Sequence, residues 1–371
     1  MKVSDLVLKN NEKAMFALRE LYGAYGYSRF KMSKFEEYDL YVGNKNFLIS
    51  DNIITFTDHG GKLMALKPDV TLSIVKNSKV TPGYVNKVYY DENVYRMQNE
   101  SFKEIMQVGL ECIGDIDDYI LSEVLMLALK SLALISDDYV LNLSHLGILE
   151  YALEKTGASD TAKAALLRAV GKKNLPAIRE ICSQENLGDN ANLLIDLVST
   201  YGSPEKVFAV LEKWEDAVLK NAKEELKSIL APVASQVAEG KVAIDFSVVG
   251  DMNYYNGIVM KGFVNGISQS ILSGGQYDKL LDKMGKKAGA VGFAVYPDLL
   301  DALAGAKKQY DVDTVILYEA DTSPEVLHNT LRLFSEGGKS VMAQKAIPEK
   351  LRYRQLLKLT ESGVQILENN A

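Results

Sequence analysis

The chain of 371 residues is poor in cysteine, histidine and net positive charge. Two cysteines, Cys112 and Cys182, cannot make a disulfide framework and suit a reducing cytoplasm. Three histidines, His59, His145 and His328, stand far apart without metal-ligand spacing, so no metal site is expected. No run of eighteen apolar residues exists, which excludes a transmembrane helix. The opening MKVSDLVLKNNEK has no apolar core before a small-residue cleavage site, so no signal peptide is expected and the location is read as cytoplasmic. The net charge of −7 argues against a dedicated nucleic-acid binder, which normally shows a basic stripe. His59-Gly60-Gly61-Lys62 lacks the first glycine and the Ser/Thr of a phosphate-binding loop, and reads as a hairpin turn.

What is present is ordinary globular material, 47% hydrophobic and 25% charged, long enough for one large domain with appendages or for two to three domains. The chain is organised around Lys87–Gly114. Lys87 to Arg96 is rich in Val and Tyr and reads as a strand. Met97 to Lys103 reads as a polar loop, and Glu104 to Ile113 as a second, antiparallel strand. Its alternation sets Ile105, Gln107, Gly109, Glu111 and Ile113 on one face and Met106, Val108, Leu110 and Cys112 on the other. Gln107 and Glu111 therefore share a face, with open space expected over Gly109. A half-buried hairpin with a wet outer face would look the same.

Before it, Asn10–Tyr25 has helical spacing, Tyr27–Phe35 reads as a strand, and Phe47–Ile54 with Phe56–Leu66 as a hairpin. Lys67-Pro68-Asp69-Val70-Thr71 turns into a helix, Thr71–Asn77. Asp69 and Thr71 at this corner serve either as helix caps or as site residues. After it come a helix, Asp117–Leu134, and a strand, Tyr139–Ser144. From His145 to about Gly240 the periodicity is helical with no strand signal, an insertion of about 90 residues, the size of a small domain. Strands return at Lys241–Val249, Ile258–Val264, Ile267–Leu272 and Ala288–Val295, with the Gly274-Gly275 pair before a helix, Gln276–Met284. That pair serves either ligand approach or helix–strand packing. Pro297 opens a last helix. The tail reads as strand Val312–Tyr318, helix Pro324–Ser335, Gly337-Gly338, strand Ser340–Gln344, helix Pro348–Thr360 and strand Val364–Leu367.

Several of these stretches, in order, resemble the histidyl-tRNA synthetases, over roughly residues 8 to 305. Lys87–Gly114 resembles their second signature, with Arg96 on the ATP-holding arginine and Gln107 and Glu111 on histidine-reading positions. Lys67–Thr71 resembles Arg-Pro-Glu-x-Thr, with Asp69 for the glutamate. Gly250–Asn256 resembles Arg-Gly-Leu-Asp-Tyr-Tyr, Ser273–Leu280 resembles the Gly-Gly-Arg-Tyr-Asp stretch, and Gly292-Phe293-Ala294 resembles the start of the third signature. The resemblance implies an α+β fold: a class II aminoacyl-tRNA synthetase-like antiparallel sheet flanked by helices. Residues 1–144 and 241–305 form that core, 145–240 the helical insertion, and 306–371 a short α/β C-terminal domain.

The departures fall on the cations. Gly250 stands where the family has its catalytic arginine, and Leu299 falls on the third signature's arginine, with Tyr296 for a glycine beside it. Ser33 replaces the first signature's proline, and the loop after Arg96 is about three residues short. Adenylation needs cations where phosphate charge develops, and one such group is worth ~10²–10³ in rate. A synthetase body with this pattern is similar to the ATP phosphoribosyltransferase regulatory subunits, non-catalytic paralogs of the synthetases. That resemblance implies no catalytic residues or cofactor in this chain and a role in histidine biosynthesis. Its implied partners are a short-form catalytic subunit and a second copy of itself, as homodimers within a hetero-octamer, with no membrane or tRNA partner. It also implies L-histidine held by Asp69, Thr71, Arg96, Gln107, Glu111, Tyr254, Tyr255 and Tyr277. In physical terms Asp69 and Glu111 suit the ammonium and an imidazole N–H, and Thr71 and Gln107 add uncharged partners. The tyrosines suit the ring and Arg96 the carboxylate. The competing expectations are a divergent synthetase-like enzyme that activates an amino acid with ATP, and an assembly scaffold whose pocket is empty.

Overall fold

The computed structural model describes residues 8–44, 52–98, 100–250, 254–302, 309–335, 339–360 and 362–370. The Gly337-Gly338 pair, most of the expected Phe47–Ile54 strand and the middle of the Gly250–Asn256 stretch lie outside the described residues. Two compact units are present, one spanning Asn10–Leu303 and a second that includes Ala304–Ala371.

The hairpin that organises the first unit is longer than its sequence pattern implies. Strands Val85–Gln98 and Ser101–Gly114 pair from Val85 opposite Gly114 to Gln98 opposite Ser101. The polar loop expected at Met97–Lys103 is therefore almost all strand. Ser101 to Glu104 are exposed, so polar residues there meet water rather than a core, and the ladder runs through them. Beyond Gln98, Glu100 lies in a turn with φ 64°.

Among the described residues nine strands form one mixed sheet. Its order is Ser28–Arg29, Val85–Gln98, Ser101–Gly114, Gly289–Val295, Leu272–Gln276, Ile258–Val264, Tyr139–His145, Val242–Asp245 and Tyr201–Gly202. The central pairings are antiparallel, and Ser28–Arg29 and Val242–Asp245 join in parallel. Helices Asn10–Ala24 and Asp118–Ile135 cover one face, where Leu18, Tyr22, Val124 and Leu127 pack with Val108, Leu110 and Cys112. Asp117 caps the second helix by accepting from the Ile120 N–H at 2.9 Å. Helices from Leu146–Lys155 to Ala234–Ala238 extend the same apolar core through Leu149, Leu166 and Leu194. This region also supplies the two-residue Tyr201–Gly202 strand, which no sequence pattern announced.

Other boundaries move for tertiary reasons. The expected Tyr27–Phe35 strand divides into Ser28–Arg29, in the large sheet, and Phe35–Glu37, in a separate three-stranded sheet with Thr55–Thr57 and Leu63–Leu66. The strand expected at Ile267–Leu272 instead occupies Leu272–Gln276, so Gly274 and Gly275 lie within the sheet. A Cβ at Gly274 would collide with the Gly292 carbonyl, which gives strand–strand packing as the reason for that glycine.

In the second unit, the helix expected at Pro348–Thr360 is a strand, Tyr353–Thr360, and four strands are present among the described residues, not three. Leu356 and Leu357 explain the change. A strand sends them to opposite faces, Leu356 to Val312 and Val315 and Leu357 to the side of helix Pro324–Ser335. A short apolar run reads equally well as either element, and the two-sided sheet decides.

Candidate functional site

On the face of the sheet away from helices Asn10–Ala24 and Asp118–Ile135, a cavity of about 460 Å³ opens. Small residues make its floor. The register sets Glu111 beside Gly292 and Gly292 beside Gly275, and, in a neighbouring row, Gly109 beside Ala294 and Ala294 beside Ser273. These glycines are not empty space. A Cβ on Gly109 would lie 2.6 Å from the Tyr90 hydroxyl, and one on Gly275 would lie 2.9 Å from the Tyr255 ring. A Cβ on Gly292 would strike the Glu111 carboxylate. The gap expected over Gly109 is thus filled by the phenol of Tyr90, its partner across the ladder. Each glycine makes room for a side chain that walls the cavity.

All eight residues expected at a ligand line this cavity. Glu111 lines it and is buried. Tyr277 donates its hydroxyl to Glu111 Oε2 at 2.5 Å, and Thr71 donates to Oε1 at 2.9 Å. Burial pushes the Glu111 carboxyl up to about 8, against the lowering effect of these two donors, with Asp69 adding to the rise. The group is therefore poised near neutral pH. Tyr90, Tyr254 and Tyr277 are held well above the usual phenol range by burial, so each hydroxyl keeps its proton. The rings of Tyr254 and Tyr255 meet edge to face at 4.6 Å, and Tyr254 lies 5.6 Å from Tyr277.

Asp69 hydrogen-bonds the start of its helix and also lines the cavity. Oδ1 accepts from the Leu72 N–H at 2.9 Å, capping the Thr71–Asn77 helix, while Oδ2 lies 3.6 Å from the Arg96 guanidinium. Burial raises its carboxyl, and Arg96 opposes the shift. Arg96 also donates through Nε to the Pro68 carbonyl at 2.6 Å. The corner is pinned by Lys67, whose wholly buried side chain meets Glu92 at 2.5 Å and whose carbonyl accepts from the Tyr95 N–H. Lys286 closes the far end of the helix by donating to the carbonyls of Val75, Lys76 and Ser78. On the opposite wall, Gln276 accepts from the Ile258 N–H at 2.8 Å and occupies the space that a side chain at Gly257 would need. Asn256 and Asp278 are joined by two hydrogen bonds. These contacts fix the approach to Tyr254 and Tyr255.

Four polar lining residues were not among those expected: Tyr90, Lys261, Ser273 and Tyr296, the last two joined at 3.1 Å. Tyr90 was findable only with the register, which sets it opposite Gly109. Lys261 had a signal, a charge inside the apolar run Ile258–Val264. Gly250 lines the cavity without a side chain, and Leu299 packs with the apolar core. Among the described residues no cluster of three His, Cys, Asp or Glu side chains is arranged to hold a metal ion. No helix among them is long and apolar enough to cross a membrane.

Comparison with known proteins places this geometry. The family model described as Histidyl-tRNA synthetase matches residues 5–300. An ATP phosphoribosyltransferase regulatory subunit from Caldanaerobacter subterraneus subsp. tengcongensis is 30% identical over 287 residues, 75% of this chain and 74% of that protein. A histidine–tRNA ligase from Methanococcus maripaludis is 30% identical over 305 residues, 77% of this chain and 69% of that protein. The crystal structure of an ATP phosphoribosyltransferase regulatory subunit/histidyl-tRNA synthetase from Bacillus halodurans superposes with a TM-score of 0.73 at 25% identity, covering 93% of this chain and 90% of that one. The fold is thus of class II synthetase type, and the chain belongs to the histidyl-tRNA synthetase family.

Proposed function

We propose that the chain is a regulatory subunit of an ATP phosphoribosyltransferase, has no catalytic site of its own, and takes L-histidine in the cavity around Glu111. The observation that carries this reading is a cavity of about 460 Å³, roomy enough for an amino acid and lined by carboxylates and tyrosines, with a shortage of cations. Arg96 and Lys261 are the cationic side chains lining the cavity among the described residues, and Arg96 is turned to Asp69 and the Pro68 carbonyl. A nucleotide triphosphate brings several negative charges and needs more positive partners than this. Gly250 and Leu299, at the positions matched to family arginines, offer none.

Histidine suits what is there. Its ammonium fits beside Asp69. Its ring fits between the tyrosines, with a ring N–H directed at Glu111, the acceptor already held by Tyr277 and Thr71. Gln107, buried on the same strand face as Glu111, adds an uncharged partner. A ring N–H or imidazolium at Glu111 favours the carboxylate form, so binding draws the Glu111 pKa down and releases a proton from the protein near neutral pH. The partner proposed is a short-form catalytic subunit, with dimers of this chain inside a hetero-octamer.

A second reading, amino-acid activation with ATP, is kept because a ligase relative is as similar as a regulatory one. Calorimetric titration of the purified chain with L-histidine, and separately with ATP, decides between them. Histidine heat without ATP heat is the expected result, and the histidine heat should be lost in Glu111→Ala. ATP binding together with ATP-dependent pyrophosphate exchange would overturn the regulatory reading. Silence for histidine both alone and with the catalytic subunit present would leave an assembly scaffold.

A further inference from the structure

We infer that the cation for the carboxylate of the bound amino acid is Lys261, rather than Arg96, which is engaged with Asp69 and the Pro68 carbonyl, or position 250, which has no side chain. This rests on the amino-acid reading of the cavity given above.

The cavity is lined by two carboxylates, Asp69 and Glu111, and two cations, Arg96 and Lys261. Three of these four are already engaged. Glu111 accepts from Tyr277 and Thr71, Asp69 caps its helix and faces Arg96, and Arg96 donates to the Pro68 carbonyl. Lys261 is different: among the described residues it makes no hydrogen bond or ion pair. It is not a solvated edge residue. Its strand, Ile258–Val264, lies between two others, and Lys261 pairs with Ser273 on one side and Asn142 on the other. Lys261 is half-buried and lines the cavity, so its ammonium is within reach of a ligand held there.

Position 250 and Lys261 serve the same part of the cavity. Val259 and Lys261 are two residues apart on one strand and so share a face. A Cβ built on Gly250 would lie 3.4 Å from Val259 Cγ1. That Cβ would also lie 3.0 Å from the Tyr255 ring, and Gly250 has φ +55°. A long cationic side chain at 250 would be strained and would displace Tyr255. The neighbouring strand supplies the charge instead. A lysine acts as a point charge on a flexible stem, which matches a carboxylate without requiring the fixed fork of an arginine. The ligand then lies with its ammonium at Asp69, its ring at Glu111 and its carboxylate at Lys261.

The test is calorimetry on the full chain with two probes, L-histidine and L-histidinol, in which an alcohol replaces the carboxylate. For the wild type, histidine should bind at least about tenfold more tightly than histidinol, the usual scale for a charge-assisted hydrogen bond. Lys261→Gln should weaken histidine by about that factor and leave histidinol unchanged, so the preference disappears. Lys261→Arg should restore most of it. Unliganded melting temperatures of the three proteins check that each is folded. If Lys261→Gln binds histidine as the wild type does, the assignment is wrong while the amino-acid reading stands. Equal losses for both probes in a folded Lys261→Gln would show a general effect on the cavity and also overturn it. If the wild type binds neither probe, alone or with the catalytic subunit, both readings fall together.

Discussion

The two faces of the strand Ser101–Gly114 are built as two different solvents. Val108, Leu110 and Cys112 enter an apolar core with the helices Asn10–Ala24 and Asp118–Ile135. Gln107, Gly109 and Glu111, one residue out of phase, enter a cavity of hydroxyls, carboxylates and aromatic edges. Gln107 and Glu111 are nearly as buried as Val108, Leu110 and Cys112. On the first, burial stabilises, by roughly 1.5–3 kcal/mol for each large side chain. On the second, burial is opposed by the desolvation of Asp69 and Glu111, which raises both carboxyls. One face holds the protein together, and the other holds polar groups against the cavity.

Breaking the apolar face should cost most. Leu110 is fully buried, so Leu110→Ala should lower the unfolding free energy by about 2–5 kcal/mol in urea denaturation. A loss well under ~1 kcal/mol would mean that the helices do not pack there as described.

The polar face should give an effect that depends on pH. Glu111 has its pKa raised in the fold, from 4.5 to about 8. The folded state therefore holds this proton more tightly than the unfolded chain. Its contribution is fully present below about pH 4.5 and is lost as pH rises through about 8. The slope in that window is at most about 1.4 kcal/mol per pH unit. Glu111→Gln removes the titration, so its stability should fall less than that of the wild type between pH 5 and 9. Parallel stability curves would contradict the shift. The smallest effect is expected from Tyr277→Phe, which deletes one donor to Glu111 and leaves the ring. It should raise the Glu111 pKa further and weaken histidine by roughly tenfold, about the 1.4 kcal/mol typical of one hydrogen bond to a charged group. Unchanged affinity would remove Tyr277 from the ligand's surroundings.

Much of the site could be read before folding was known, because strand alternation is local. The phase that puts Gln107 and Glu111 together depends only on the two-residue period, and the Lys67–Thr71 corner is marked by Pro68 and the helix behind it. The positions missed depend on neighbours far away in the chain. Tyr90 faces the cavity because the register brings it over Gly109, and Gly275 is small because Tyr255 needs its space. The C-terminal unit shows the same limit: Leu356 and Leu357 fit a helix as well as a strand until two faces of a sheet divide them.

The sequence by itself determined the order of the signature segments, the family they belong to, the polar phase of the central strand and the loss of cations at positions 250 and 299. These are properties of residue identity and short-range periodicity. Only the tertiary structure decided that eight dispersed residues share one enclosure, that Arg96 is occupied by Asp69 and Pro68, and that Glu111 titrates near neutrality. It also left Lys261 as the cavity-lining cation whose side chain has no partner among the described residues. Those are consequences of register, burial and through-space charge, which depend on distances that no stretch of sequence carries.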